Sequence, residues 1–314
     1  MYLVTGGAGF IGSNIVRKLV AQGERVRVLD DFSTGKKENL VGLEQNAGVE
    51  IIEGTLLNGD CVKQAMKGVE YVLHQAAIPS VPRSIADPLN SNEANIKGTL
   101  QALEAARENG VKRFIFAASS SAYGDTEVLP KFEKMPAMPL SPYAVTKYSG
   151  ELYARVYANV YGLPTVSLRY FNIYGPYQDP ASEYAAVVPK FIIALLAGKS
   201  PVIYGDGEQS RDFTYIENAV SANLLACKSS RVGRGEVINV ACGERYTLNQ
   251  LAGFLREIMG LEIEPAYSAA RPGDVKHSLA DITLAEELLG YRVEVDFREG
   301  LRRTIEWFQK GSCF

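Results

Sequence analysis

A tyrosine and a lysine four residues apart, Tyr143 and Lys147, form the pair whose types and spacing are best suited to proton transfer. They follow Ser141-Pro142, which is typical of a helix start. A spacing of i and i+4 places both side chains on one helical face. A cation about 4 Å away in a partly shielded site favours a phenolate by roughly 4 kcal/mol, or up to about three pKa units. We therefore expect Lys147 to lower the pKa of Tyr143, so that it takes a proton from an alcohol near neutral pH. Taken alone, the pair would equally fit an ordinary surface helix.

The composition favours a globular protein that acts on small molecules. The 314 residues are 46% hydrophobic and 22% charged, with a formal net charge of −3, which gives no basic surface for nucleic acid. The length predicts roughly two domains of about 150 residues, or one large core with an appendage. No apolar run is long enough to span a bilayer, and the strand-like start at residues 1–5 leaves no room for a signal peptide.

Cysteine and histidine usage argues against a metal centre. The two histidines, His74 and His277, are too few for a multi-histidine site and do not favour a histidine-centred triad. No CxxC pair or metal-ligand spacing occurs among the four cysteines, which are Cys61, Cys227, Cys242 and Cys313. We expect reduced thiols in a cytoplasmic protein with no bound metal.

A glycine-rich loop follows the first predicted strand. Glycines at 6, 9 and 12 permit a tight turn, close approach of the backbone to a pyrophosphate, and tight packing of the next helix on the strand. That helix would point its N-terminus at the phosphates. Asp30 ends the second predicted strand, 18 residues after Gly12, where a carboxylate binds ribose hydroxyls and repels a 2′-phosphate. The pattern favours NAD over NADP, although Asp30 could instead cap a helix.

Alternating segments predict an α/β fold with a doubly wound parallel Rossmann sheet. The predicted strands are 2–5, 25–29, 49–53, 71–74 and 113–118, and the predicted helices between them run from the glycine loop to about 23 and over 37–45, 59–66 and 94–108. After Asn172 the alternation gives way to a mixed region with helices at 185–197, 217–228 and 248–259. We predict a NAD-binding domain over 1–172, to which one later strand and helix return, and a smaller mixed α/β domain over 173–314.

Several motifs together resemble the extended short-chain dehydrogenase/reductase superfamily, and within it the nucleotide-sugar 4-epimerases, most of all those acting on UDP-N-acetylglucosamine. The resemblance extends from residue 1 to about 281. In chain order, it comprises the loop from Gly6 to Gly12, His74-Gln75-Ala76-Ala77, Asn95, the serines before Tyr123-Gly124, Tyr143 with Lys147, and Arg169-Tyr170-Phe171-Asn172.

The resemblance implies catalytic roles for three residues. Ser119 matches the family's catalytic Ser or Thr, Tyr143 the acid/base, and Lys147 the residue that holds the nicotinamide ribose. Asn95 matches a residue that orients this lysine or the nearby cofactor chain. The serines could instead cap a strand end.

The resemblance also implies a cofactor site for NAD. Its expected residues are Gly6, Gly9, Phe10, Ile11, Gly12, Asp30, Asp31, Ser33, Thr34, Gly35, Thr55, Leu56, Gln75, Ala76, Ala77, Asn95, Tyr143, Lys147 and Tyr170. Thr55 departs from the aspartate that many relatives carry, so we expect weaker contacts to adenine and easier loss of NAD on purification.

The second domain is expected to bind the nucleotide sugar. The segment Gly205–Phe213 resembles the one in which an arginine, here Arg211, reaches the diphosphate, while Arg271 and Asp274 match residues on the phosphates and the uridine ribose. Fork-shaped guanidinium groups suit a diphosphate, although each arginine could form a surface ion pair. The expected substrate residues are Ser80, Ser119, Ser120, Ser121, Tyr143, Asn172, Ala186, Val187, Tyr204, Arg211, Arg271, Asp274 and Ser278.

The resemblance implies 4-epimerisation of a UDP-hexose through a transient 4-keto sugar. Relatives that dehydrate sugars carry an Asp-Glu pair where this chain has Ser120-Ser121, so elimination lacks its acid and base. Ser278 stands where relatives restricted to glucose and galactose have a bulky tyrosine. We therefore expect conversion of UDP-GlcNAc and UDP-GalNAc, with UDP-glucose and UDP-galactose as secondary substrates.

Three alternatives remain open from the sequence. The chain could be an epimerase for UDP-glucose alone, an epimerase or decarboxylase of a UDP-uronic acid, or a non-catalytic NAD-binding regulator. A homodimer is expected, with helices 100–108 and 150–161 at a four-helix interface, but their apolar stripes fit an internal core equally well.

Overall fold

A seven-stranded parallel sheet carries the site. The computed structural model describes residues 1–180, 187–270 and 276–311, so Ala186, Arg271, Asp274 and Cys313 lie outside the described residues. The described strands are β1 (Tyr2–Thr5), β2 (Val26–Asp30), β3 (Val49–Glu53), β4 (Tyr71–His74), β5 (Arg113–Ser119), β6 (Thr165–Tyr170), β7 (Ile173–Tyr174), β8 (Val202–Tyr204), β9 (Ser210–Arg211), β10 (Thr214–Tyr215), β11 (Arg234–Val240), β12 (Tyr246–Thr247) and β13 (Ala266–Ser268).

The sheet order is β11-β6-β5-β4-β1-β2-β3, which is a doubly wound arrangement. The predicted fold class is therefore confirmed. β11 comes from late in the chain and pairs in parallel with β6. Three further strand pairs, β10 with β7, β12 with β9 and β13 with β8, lie outside the large sheet. Folds of this kind bind ligands at the carboxyl ends of the strands.

The described helices include some on each face of the large sheet and others that pack in the C-terminal part of the chain. They are α1 (Phe10–Ala21), α2 (Gly59–Met66), α3 (Val81–Ala86), α4 (Pro88–Asn92), α5 (Gly98–Glu108), α6 (Pro142–Tyr161), α7 (Val187–Leu196), α8 (Ile216–Lys228), α9 (Leu248–Met259), α10 (Thr283–Leu289) and α11 (Phe297–Gln309). A π-helical turn, Glu93–Lys97, joins α4 to α5.

Alternating side chains on the central strands separate two apolar cores. Phe114 and Phe116 of β5 pack with α2, α5 and α6 on one face. Ile115 and Ala117 point to the other face, into a core that continues through α1 and α8 to α11. The strands are therefore buried on both sides, as parallel sheets require, and the second core joins the sheet to the C-terminal part of the chain.

One predicted helix was wrong in extent, and two short helices were not predicted. The helix predicted over 37–45 is a single 3₁₀ turn, Lys37–Leu40; Gly42, with φ of +82°, lies in a region where a regular helix cannot continue. The helix predicted to start at 94 is preceded by α3 and α4. Each of these short helices has a capping side chain, Ser80 and Asp87, and a proline in its first turn.

Candidate functional site

The glycine loop between β1 and α1 packs closely against the neighbouring backbone. A Cβ on Gly6, whose φ is +67°, would lie 2.7 Å from Ala76, and one on Gly12 would lie 2.1 Å from the Gly6 carbonyl oxygen. Gly9 caps α1 without a side chain, and the first turn of α1 carries no acidic residue. The amide groups at this helix end are therefore well placed for a phosphate anion.

A cavity of about 340 Å³ opens along this loop and the carboxyl ends of the central strands. Its lining includes every predicted cofactor residue except Asn95. It also includes residues that the sequence did not single out, namely Leu29, Gly54, Leu57, Ile78, Pro79, Asn90, Ala94, Ala117 and Ala118. The residues present therefore fit a dinucleotide such as NAD.

Asp30 holds the loop as well as lining the cavity. One carboxylate oxygen accepts the Ala8 amide at 2.8 Å and the other accepts the Phe32 amide at 2.9 Å. Burial raises the pKa of Asp30, while these two amides oppose the shift. Asp30 ends β2 and is therefore a strand-end carboxylate rather than a helix cap.

Helix α6 is anchored where it begins. Ser141 accepts the Ala144 amide at 3.2 Å, Pro142 occupies the first turn, and the Tyr143 amide donates to the Ser84 hydroxyl of α3 at 3.0 Å. Because backbone and cap are both bonded, the Tyr143 side chain leaves the helix in a fixed direction, toward the cavity that it lines.

Close packing of α6 on β5 brings Lys147 to the sheet. A Cβ on Gly150 would lie only 2.2 Å from the Phe116 ring, so glycine permits this approach. The Lys147 ammonium donates to the Ala117 carbonyl at 2.8 Å and lies 5.2 Å from the centre of the Phe116 ring. Lys147 is 4% exposed, and burial lowers its pKa to about 8, with Glu151 opposing the shift.

The predicted electrostatic effect of Lys147 on Tyr143 is wrong for this arrangement. Burial raises the pKa of Tyr143 above its ordinary value, and only a hydrogen bond with Ser119 opposes that shift. The lysine ammonium is instead directed at the Ala117 carbonyl. The i, i+4 spacing places the two residues near the same cavity, but it did not predict which acceptor the lysine would take.

Ser119 ends β5 and stands beside the tyrosine. Its hydroxyl oxygen accepts both the Ser121 amide at 3.2 Å and the Ser121 hydroxyl at 2.8 Å. Ser120 and Ser121 continue into a 3₁₀ turn that ends at Tyr123. The hydroxyl of Ser119 thus retains its own proton to donate while it contacts Tyr143.

Asn95 supports the cavity from behind rather than lining it. Its side chain accepts the Ile78 amide at 2.7 Å and donates to the Thr146 hydroxyl at 3.0 Å, which in turn donates to the Tyr143 carbonyl at 2.8 Å. Asn95 thus bonds to Ile78, which lines the cavity, and to Thr146, which is next to Lys147, while its expected role toward the cofactor chain stays a prediction.

His74 is a buried, neutral side chain. Its Nδ1 lies 2.8 Å from the Thr5 hydroxyl and its Nε2 lies 3.0 Å from the Thr99 hydroxyl. Because Thr99 donates to the Asn95 carbonyl, the histidine proton belongs on Nε2. Burial lowers the pKa of His74 to about 3, and the nearby Lys147 lowers it further, so His74 acts here as a hydrogen-bonding bridge.

The predicted substrate residues fall into a cluster and several separate positions. The Asn172 amide donates to the Ser278 hydroxyl at 3.1 Å, and Arg211 donates to the Ser210 and Lys276 carbonyls at 3.0 and 3.1 Å. Ser80 caps α3, Val187 starts α7 and Tyr204 ends β8. Among the described residues, the lining of the 340 Å³ cavity includes only Tyr143 of the substrate set.

A buried asparagine on α8, Asn223, is a site-adjacent residue that the sequence analysis missed. It bonds to Gln75 and Tyr170, both of which line the cavity. The available signal was an amide side chain on the buried face of an apolar helix, since a buried polar group requires partners. Those partners are 148 and 53 residues away in sequence, which no local pattern identifies.

Two further features, a metal-binding cluster and a membrane-spanning helix, were sought among the described residues. Within residues 1–180, 187–270 and 276–311, no group of three or more His, Cys, Asp and Glu side chains is arranged to hold a metal ion. Over the same ranges, no helix has the length and apolar character to cross a bilayer.

Fold and site together define a Rossmann-type enzyme with a serine, a tyrosine and a lysine beside a dinucleotide cavity. Residues 2–241 match the family described as NAD dependent epimerase/dehydratase. The chain belongs to this family and is an NAD-dependent isomerase of the kind that acts on UDP-sugars.

Three similar proteins illustrate the relationship. The UDP-N-acetylglucosamine 4-epimerase of Methanobrevibacter ruminantium M1, solved with UDP-N-acetylmuramic acid, is 44% identical with a TM-score of 0.94, covering 99% of this chain and 98% of that one. The UDP-glucose 4-epimerase of Thermotoga maritima, solved with UDP-glucose, is 42% identical with a TM-score of 0.93 and 99% coverage of both chains. A putative UDP-glucose 4-epimerase of Methanocaldococcus jannaschii is 38% identical over 314 residues, 99% of each chain.

Proposed function

We propose that this chain interconverts UDP-GlcNAc and UDP-GalNAc by 4-epimerisation, with UDP-glucose and UDP-galactose as secondary substrates. The observation that carries the proposal is the contact between Asn172 and Ser278 at 3.1 Å, because a small hydroxyl side chain stands there instead of a bulky ring. Space at this position suits an acetamido group at C2 of the sugar. The 44% identical neighbour named for UDP-N-acetylglucosamine supports the same preference.

The proposed chemistry assigns a separate role to each of Tyr143, Ser119 and Lys147. Tyr143 removes the proton of the sugar 4-hydroxyl and later returns it, while Ser119 donates a hydrogen bond to the reacting oxygen. NAD, when bound, supplies reversible acceptance of the hydride from C4. Lys147 holds the cofactor ribose. A 4-keto sugar that turns within the pocket then offers its opposite face for reduction.

The same residues argue against elimination of water. Ser120 and Ser121 follow Ser119 where a dehydratase needs an acid and a base, and both carry neutral hydroxyl groups. Oxidation and reduction at one carbon require no acid or base beyond Tyr143, while NAD, when bound, would accept and return the hydride.

The test is product analysis by NMR of purified protein incubated separately with UDP-GlcNAc, UDP-glucose and UDP-glucuronate, first without and then with added NAD. Appearance of UDP-GalNAc supports the proposal. Conversion of UDP-glucose alone would retain 4-epimerisation and discard the role of Ser278. Conversion of UDP-glucuronate alone would replace the substrate class, and no reaction with any sugar after NAD is supplied would favour a non-catalytic regulator.

We further propose a cytoplasmic homodimer. The outer face of α6 carries an apolar stripe of Val145, Leu152, Val156 and Val160, which are 43% to 67% exposed. Their spacing of seven, four and four residues keeps them on one helical face, opposite Tyr143 and Lys147. Such a face is suited to the α6 of a second copy.

A further inference from the structure

Three side chains form a closed hydrogen-bonded ring beneath the cofactor cavity. The Gln75 side-chain amide donates to the Asn223 side-chain oxygen at 3.2 Å, the Asn223 amide donates to the Tyr170 hydroxyl at 2.7 Å, and that hydroxyl lies 3.2 Å from the Gln75 side-chain oxygen. Each side chain can therefore give one hydrogen bond and accept one. The Tyr170 proton could also face Asn223, at 3.0 Å, but only the direction toward Gln75 closes the ring.

Asn223 has a single satisfactory orientation. Its second amide proton goes to the Ala219 carbonyl at 2.7 Å, one turn earlier on α8. If the Asn223 amide were flipped, its side-chain oxygen would lie against the Ala219 carbonyl oxygen. The Asn223 oxygen must therefore be the end that faces Gln75. Asn223 is completely buried, and no water can replace a partner that is removed without rearrangement.

The other two members of the ring form part of the cavity wall. Gln75 follows β4 and Tyr170 ends β6, and both line the cavity, whereas Asn223 does not. Burial raises the pKa of Tyr170 to about 12, so its hydroxyl remains a donor over the whole working pH range. Helix α8 packs against β5 and β6 and thereby inserts Asn223 between two strand ends.

We propose that Asn223 is a positioning residue for the cofactor: by closing this ring it holds Gln75 and Tyr170 in the arrangement that the cavity presents to NAD. The inference rests on the NAD-dependent function and assigns part of the cofactor affinity to a helix that does not itself contact the cavity. Loss of the ring leaves the Gln75 amide and the Tyr170 hydroxyl free to turn toward other partners.

The experiment compares two buried asparagines on the same helix. Asn223→Leu should raise the dissociation constant for NAD about tenfold, because two hydrogen bonds to the cavity wall are lost. Asn218 is equally buried, but its partners among the described residues are 294 and 295 and, through a long contact, Cys242. Asn218→Leu should therefore lower the melting temperature while the dissociation constant for NAD stays within about twofold of the wild-type value.

NAD binding is measured by calorimetry on protein stripped of cofactor and without sugar, with the melting temperature of each variant recorded. An unchanged dissociation constant in Asn223→Leu, or an equal increase in Asn218→Leu, would overturn the inference. If Asn223→Leu does not fold, Asn223→Asp keeps the volume and the acceptor for Gln75 but removes the donor to Tyr170, and unaltered NAD binding in that variant would overturn it as well.

A double-mutant cycle provides the second readout. Gln75→Leu and Asn223→Leu together should weaken NAD binding by clearly less than the product of the two single effects, because both variants break the same ring. Strictly multiplicative effects would contradict a shared role. Because the measurement needs no sugar turnover, a chain that binds NAD but converts no UDP-sugar would refute the proposed function and leave this test intact.

Discussion

Tyr143 sits in a position where burial opposes the ionisation that its proposed role requires. Burial raises the pKa of Tyr143 above its ordinary value, and the hydrogen bond with the Ser119 hydroxyl opposes this shift. Ionisation of the Tyr143 phenol therefore depends on the neighbouring groups. For this reason it matters which acceptor the Lys147 ammonium bonds to. The Lys147 ammonium bonds to the Ala117 carbonyl and thereby ties α6 to the end of β5.

We expect Tyr143→Phe to lower the turnover number by roughly 10²- to 10⁴-fold, as loss of a general acid/base typically does. Binding of NAD should be little affected, since the ring remains in the cavity wall. The measurement is a progress curve with UDP-GlcNAc beside calorimetric titration with NAD. A variant with near wild-type turnover would assign the proton step to another group.

Ser278 is the residue at which substrate size should be selected. Ser278→Tyr should reduce turnover of UDP-GlcNAc much more than turnover of UDP-glucose, because the ring would occupy the space proposed for the acetamido group. Ser278→Ala is the matched control and should retain both activities. Equal losses on the two sugars in the tyrosine variant would mean that the position does not select for size.

At the scale of elements, the buried carboxylate of Asp212 joins two segments of the chain through hydrogen bonds. Asp212 accepts the Cys242 and Gly243 amides at 2.9 and 3.1 Å and the Ala280 amide at 3.1 Å. Its own carbonyl accepts the Asn172 side chain at 3.0 Å. Asp212 thereby joins the loop after β11 to the segment that carries Ser278.

Burial raises the pKa of Asp212 to about 7, against the three amides that lower it. A raised folded-state pKa favours the protonated form, so this contribution to stability is fully present below about pH 4 and is lost as pH rises to about 7. The upper limit is about 4 kcal/mol for a shift of about three units.

Urea unfolding from pH 4 to 8 should show the free energy of unfolding of the wild type falling with pH relative to Asp212→Asn. Asp281 serves as the control, because hydrogen bonds from Thr283 lower its pKa. Because Asp281 is ionised in both states above about pH 5, the stability difference between the wild type and Asp281→Asn should stay nearly constant over most of this pH range. If the free energies of unfolding of Asp212→Asn and the wild type changed in parallel with pH, the folded protein would not disfavour ionisation of the Asp212 carboxyl.

The approach of α6 to β5 depends on one glycine. In Gly150→Ala the new methyl group would meet the Phe116 ring, and the resulting overpacking should cost about 1–3 kcal/mol. Gly253, in the middle of α9, has nothing within 4 Å of an added Cβ, so Gly253→Ala should be stabilising by up to about 1 kcal/mol. Chemical denaturation measures the free energy of unfolding of both variants. Equal effects would mean that the Phe116 ring moves aside without a cost in stability.

Local patterns predicted the parts of the fold that local physics determines. The glycine loop, the strands around it and α6 follow from apolar runs, capping residues and turns that lie next to them in sequence. Asn223, Asp212 and the acceptor of Lys147 depend on groups that the fold brings from far away, and a short-range pattern holds no information on them. The 3₁₀ turn at Lys37–Leu40 was mispredicted because helix-forming residues there are followed by Gly42 in a left-handed conformation.

At the scale of the whole molecule, the two faces of α6 have different proposed roles. Its inner face positions Tyr143 and Lys147, and its outer face carries the apolar stripe proposed to meet a second copy. If the outer face is covered in solution, association would also restrain the inner one. The oligomeric state therefore bears on the catalytic site.

Val156→Glu should convert a dimer into a monomer, because a carboxylate would be buried without a partner at the centre of the stripe. Light scattering after gel filtration gives the mass. Val41→Glu is the control, since Val41 is 62% exposed and lies away from α6. A wild-type protein that is monomeric at micromolar concentration would refute the proposed dimer.

The π-helical turn between α4 and α5 amounts to one inserted residue in an otherwise continuous helix. The insertion turns Asn95 inward, toward Ile78 and Thr146, while α5 keeps the apolar face that packs on the sheet. Deleting one residue from 93–97 would restore regular winding and rotate Asn95 away from both partners. A related chain that lacks one residue in this helix would therefore lack the support that Asn95 gives to the cavity wall. This would hold even if the residues lining its cavity were identical.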